Sequence, residues 1–115
     1  MPVPQRVPAR ALLDTGASIS LIDPKIPQLL GLSPTGTASI LTASTGHTPF
    51  TCNEYDVSIT LPHGEDGIEL LFEYVPVAES TFHPAEGCDV IIGRNILADC
   101  LLVYDGKART FCFSF

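Results

Sequence analysis

The sequence predicts a single all-β domain over residues 1–115, on three observations. Apolar and polar residues alternate with a period of two from Tyr55 to Leu61 and again from Ile68 to Tyr74, the pattern of strands with one buried face. Nine Gly and ten Pro interrupt the chain too often for long helices. Hydrophobic residues make up 45% and charged residues 17%, so the chain has the material for a packed core.

Residues 1–9 carry Pro2, Pro4 and Pro8, which fix an extended arm unable to complete a hydrogen-bond ladder. Ala11-Leu12-Leu13 reads as a short apolar strand halted by Asp14-Thr15-Gly16, and Ile19 to Ile22 as a second strand leaving that turn. Asp23 and Pro24 suit the N-cap and first position of a helical turn over Lys25 to Leu30, with Gly31 as its stop. Ala38 to Phe50 forms two β-prone arms around a small tip at Ser44, Thr45, Gly46 and His47, a hairpin.

The two alternating segments pair as a long hairpin around residues 63–67, with Ile68, Leu70, Phe72 and Tyr74 on one face. Val90 to Ile92 is a short, wholly apolar strand closed by Gly93, and one short helix follows near the C-terminus through Ile96, Leu97 and Ala98. Leu101 to Tyr104 and Thr110 to Phe115 flank Asp105-Gly106, a dipeptide suited to a type I′ turn. Phe111, Phe113 and Phe115 share one face of the last strand, and so apolar a tail needs a partner strand from its own chain or another.

Charge and composition narrow the function. Thirteen acidic against six basic residues give a net charge of −7, with no Lys/Arg cluster to neutralise phosphates, so nucleic acid is excluded as a partner. No apolar run approaches a bilayer span and the first residues lack the apolar core of a signal peptide, which predicts no membrane association and an intracellular protein. Cys52, Cys88, Cys100 and Cys112 are widely spaced in apolar surroundings and read as buried thiols. His47, His63 and His83 lie on separate loops without paired ligand spacing, so no metal and no cofactor is expected. Asp89 reads as an exposed loop acid.

Chemistry concentrates at Asp14. A carboxyl at the tip of an apolar strand is costly, and such a group is a candidate acid or base. Asp-Thr-Gly alone is also an ordinary turn. The second block, Ile91-Ile92-Gly93-Arg94-Asn95-Ile96-Leu97, changes its weight.

An apolar pair followed by Asp-Thr-Gly-Ala, then a hairpin, then Ile-Ile-Gly-Arg-Asn-apolar-Leu resembles the retroviral (retropepsin-like) aspartic proteases and their retrotransposon, cellular and bacterial relatives. The resemblance implies a retropepsin-like closed barrel with Asp14 as the catalytic aspartate. Thr15, Gly16 and Ala17 would support the active-site loop, with Thr15 hydrogen-bonding across a dimer and Gly16 allowing close backbone approach. Ser44, Thr45 and Gly46 would form a flap over an extended peptide. Leu12, Leu21 and Ile91 would wall a substrate pocket for apolar side chains, and Ile92, Gly93 and Arg94 would be structural. Retroviral members hold that arginine with an acid four positions after the catalytic Asp; Ser18 stands there in this chain, which leaves the partner of Arg94 open. Ala17 replaces a serine common in two-lobed relatives, which implies a less acid working pH.

Concerted acid and base work needs two carboxyls, and the chain has one Asp-Thr-Gly. A symmetric homodimer with Asp14 from each copy at the two-fold axis supplies the second. The expected activity is therefore that of a metal-free aspartic endopeptidase on extended, mainly apolar segments. The alternatives are a non-catalytic dimerisation or peptide-binding module of the same fold, and a fragment active only after processing.

Overall fold

The computed structural model describes residues 6–40, 48–63, 68–82 and 87–114. Along them run β1 (Ala11–Leu13), β2 (Ser20–Ile22), α1 (Lys25–Leu30), β3 (Gly36–Ile40), β4 (Phe50–His63), β5 (Ile68–Glu79), β6 (Val90–Ile92), α2 (Arg94–Leu97), β7 (Leu101–Asp105) and β8 (Thr110–Ser114). The protein is predominantly β, as expected. Six strands form one sheet in the order β1-β6-β2-β5-β4-β3, curled into a half-barrel, and β7 and β8 form a separate two-stranded ribbon.

The core lies on the face carrying Ile22, Tyr55, Val57, Val75, Val77 and Ile92, with Ile26 of α1 and Ile96 of α2 closing it. Burial of each such side chain contributes about 1.5–3 kcal/mol. The arm joins the body before β1, since Val7 packs against this core and Arg6 pairs with Glu69 at 2.9 Å. Helix α1 covers Lys25–Leu30 as expected, but its N-cap is Pro24 rather than Asp23, whose carboxylate one position earlier accepts the Lys25 amide at 3.0 Å. It stops at Gly31, whose φ of 66° is left-handed.

The long hairpin departs from simple alternation at one place. Val57 faces Val75 and Ile59 faces Phe72, so Ser58 alone stands opposite Glu73 and Tyr74. This is a β-bulge, with Tyr74 at φ 55° and 81% exposed. Tyr74 therefore does not continue the row of Leu70 and Phe72. The extra residue resets the phase, and Val75 and Val77 take the inward positions.

The C-terminal turn also differs from the expected type I′. Asp105 pairs with Thr110, leaving residues 106–109 as the loop, and the left-handed position is Arg109, at φ 55°. The Asp105 carboxylate accepts the amides of Lys107 and Ala108, each at 3.1 Å, which favours the wider turn. On the ribbon Leu102 lies beside Phe113 and Tyr104 beside Phe111, while Val103 and Cys112 share the other face. The first face is wholly apolar, and the second mixes Leu101, Val103 and Cys112 with Asp105, Thr110 and Ser114. Leu101, Val103, Tyr104 and Phe111 are more than half exposed in the protomer. Cys112 is exposed with them, and Cys52, Cys88 and Cys100 are only half-buried, so none of the four thiols is buried as expected.

Candidate active site

Strands β1 and β2 enter and leave the loop of residues 14–19, and β6 lies between them, parallel to β1 and antiparallel to β2. This insertion brings the two sequence blocks together. The Asp14 amide donates to the Ile92 carbonyl at 2.9 Å, and the Arg94 amide to the Ala17 carbonyl at 2.8 Å. Between them the Gly93 amide donates to Ser20 Oγ at 3.0 Å.

Gly93 has no room for a side chain. A Cβ there would meet the Ile19 carbonyl oxygen at 2.7 Å and that of Ala17 at 2.9 Å. Packing this close is what lets three consecutive residues of the second block grip the loop.

Asp14 sits half-buried at the strand tip. Its Oδ1 accepts the Gly16 amide at 2.8 Å, and a Cβ on Gly16 would stand 3.2 Å from that oxygen. The missing side chain thus permits the bond that orients the carboxylate. The Ala17 amide donates to the Asp14 carbonyl at 3.2 Å, closing the turn. Arg94 Nη1 donates to the Thr15 carbonyl at 2.8 Å, so the partner left open for Arg94 is main chain.

Two residues of this site were not singled out from the sequence. Ser20 is fully buried, and its amide and hydroxyl both donate to Asn95 Oδ1, at 2.9 and 2.7 Å. Asn95 Nδ2 donates to the Pro76 carbonyl at 2.9 Å. Asn95, from α2, thereby ties β2 to β5, and Ser20 Oγ ties β2 to the end of β6 through the Gly93 amide. The available signal was a serine within the apolar run Ile19 to Ile22, which must find a partner once buried.

The three candidate pocket residues are adjacent. Leu12 pairs with Ile91 and Ile91 with Leu21, one row across β1, β6 and β2. Leu21 and Ile91 line an open groove of about 750 Å³ that continues along β4 and β5 past Phe50, Asn53 and Glu79 to Phe82. Leu12 lies outside it and is 51% exposed. The hairpin arms pair as expected, with Ile40 opposite Phe50, while Ser44, Thr45 and Gly46 lie outside the described residues.

Asp89 is a tether rather than an exposed loop acid. Its carboxylate pairs with Lys25 and accepts the Arg10 amide at 3.1 Å, while its carbonyl accepts the Asp23 amide at 2.9 Å. The hydrogen bond from Lys25, then the Arg10 amide, lowers the pKa of Asp89, and the same pair raises that of Lys25. Burial pushes up the thiol of Cys52, which lines the groove, and the phenol of Tyr55 in the core. Among the described residues no group of three His, Cys, Asp or Glu side chains is placed to hold a metal ion, and no helix is long and apolar enough to cross a membrane.

Comparison with family models, curated proteins and solved structures finds no significant match, so the functional reading rests on the residues and geometry of this chain.

Proposed function

We propose that the chain is an aspartic endopeptidase of the retroviral type, working as a symmetric homodimer with one Asp14 from each copy. The observation that carries this is the grip of Ile92-Gly93-Arg94 on the Asp14 loop, which fixes a half-buried carboxylate against the Gly16 amide at the tip of a strand. The curled half-barrel sheet is consistent with the closed barrel this reading implies, and the exposed apolar side chains of the ribbon offer surface for a second copy.

In the dimer the two Asp14 carboxyls share one proton. Aspartic proteases are the standing example of such a pair. Two unit charges at about 3 Å and an effective dielectric near 20 repel by about 5 kcal/mol, which disfavours double ionisation. The ionised member takes a proton from water as the water oxygen adds to the peptide carbonyl carbon. The protonated member gives its proton to the carbonyl oxygen. Collapse of the resulting diol breaks the C–N bond, a proton passes to the leaving nitrogen, and a diol hydroxyl returns its proton to the dyad. Apolar side chains of the peptide lie against Leu21 and Ile91.

The test is digestion of a diverse peptide mixture by the protein and by Asp14→Asn from pH about 4 to 7, with cut sites read by mass spectrometry. Cleavage between apolar residues by the first and none by the second is expected. Equal cleavage by both, or none by either, overturns the proposal, as does a strictly monomeric protein by sedimentation under active conditions.

A further inference from the structure

The groove beyond Leu21 and Ile91 is not uniformly apolar. Its far wall holds Glu79 at the end of β5, and both oxygens of that carboxylate act as acceptors: Asn53 Nδ2 donates to Oε2 at 3.1 Å and the Tyr55 hydroxyl to Oε1 at 3.3 Å. These bonds fix the position of the charge. Among the described residues no Lys, Arg or His lines the groove, and the neighbouring Cys52 thiol, its pKa raised by burial, adds neither charge nor counter-charge. Among the described residues the result is a single oriented carboxylate without a cation, set in a wall otherwise made of neutral residues such as Phe50, Thr37 and Phe82.

We propose that Glu79 is a specificity-determining residue that binds a lysine or arginine side chain of the peptide substrate, so that the enzyme prefers a basic residue to one side of an apolar cleavage site. This rests on the peptidase reading above. Charge complementarity selects the occupant: a fixed carboxylate in a partly desolvated groove attracts a cation and repels an acid, and each hydrogen bond from a cationic side chain is charge-assisted.

The sheet sets the distance. Leu13 pairs with Ile92, and Ser20 with Val77, so Asp14 and Glu79 are separated by three strand spacings and about three residues along the strands. At about 4.8 Å per strand and 3.4 Å per residue this is roughly 18 Å on a flat sheet, and less on a curled one. An extended peptide covers it in about five residues, which places the basic side chain within about five positions of the scissile bond.

The experiment compares matched peptides carrying an apolar cleavage site with Lys, Ala or Glu at each of the five flanking positions on both sides. For the unaltered protein, kcat/KM at one position is expected to be about tenfold higher for Lys than for Ala, and lower again for Glu. Glu79→Gln keeps the acceptor for Asn53 and loses the charge; it should erase the Lys preference while still cutting the Ala peptide. Circular dichroism and the thermal midpoint of Glu79→Gln verify the fold. A Lys preference that survives in Glu79→Gln, or no Lys preference at any position, overturns the inference and leaves the peptidase reading intact. If no peptide is cut, the peptidase reading fails, and binding of the same fluorescent peptides to the protein and to Glu79→Gln still decides whether the groove takes cations.

Discussion

Gly93 and Ile19 stand so close that a Cβ on the glycine would lie 2.7 Å from the isoleucine carbonyl oxygen. Both partners are main chain, so neither can rotate away. Gly93→Ala must push β6 out from between β1 and β2 or open the Asp14 loop. We expect a loss of about 1–3 kcal/mol in urea unfolding, together with loss of peptidase activity. An alanine variant of unchanged stability and activity would show that the two blocks are not in this contact.

Arg94 tests the loop without disturbing the core. Its side chain is exposed and holds the Thr15 carbonyl through Nη1, so the stability change on Arg94→Lys should stay under about 1 kcal/mol. A lysine reaches the carbonyl with a flexible single ammonium rather than a planar fork. Turnover should therefore fall by more than stability does. Equal kcat in the two proteins at equal folded fraction would remove Arg94 from loop positioning.

Ser20 and Asn95 form the buried polar joint of the site. Asn95→Ala leaves the fully buried Ser20 amide and hydroxyl without their partner, at a cost of about 1–3 kcal/mol for each unsatisfied group, while water can replace it at the exposed Pro76 carbonyl. Removing either Ser20 or Asn95 breaks the same network, so Ser20→Ala and Asn95→Ala should cost together less than the sum of their separate effects. A double-mutant cycle in denaturant measures this, and additive effects would contradict the shared network.

The Asp89–Lys25 pair makes stability depend on pH at both ends. The folded-state pKa of Asp89 is lowered, so its contribution is present above the ordinary carboxylate value and is lost as pH falls through the depressed one. That of Lys25 is raised, so its contribution is present below the ordinary lysine value and is lost as pH rises through the raised one. Lys25 is largely exposed, so the effect is small and weakens with salt. Asp89→Asn should flatten the acid limb of a plot of unfolding free energy against pH, and an unchanged limb would place the acid sensitivity elsewhere.

Much of the fold is legible in the sequence because its signals are local. Alternation places Tyr55 and Val57 on one buried face, Gly31 ends α1 through its left-handed φ, and Asp14-Thr15-Gly16 and Ile91-Ile92-Gly93 each mark a strand that stops at a turn. Each acts over a few residues and depends on side-chain period or backbone freedom alone.

Only the tertiary structure decided how those pieces serve one site. The row Leu12, Ile91, Leu21 exists because β6 lies between β1 and β2, and no local period encodes that neighbour order. The same holds for Ser20 on Asn95 and for Arg94 on the Thr15 carbonyl. The bulge at Tyr74 and the wider turn after Asp105 depend on register between paired strands. Asp-Thr-Gly, by sequence, is a turn with a charge. Long-range backbone pairing, available only once the chain has closed on itself, gives that charge a fixed position.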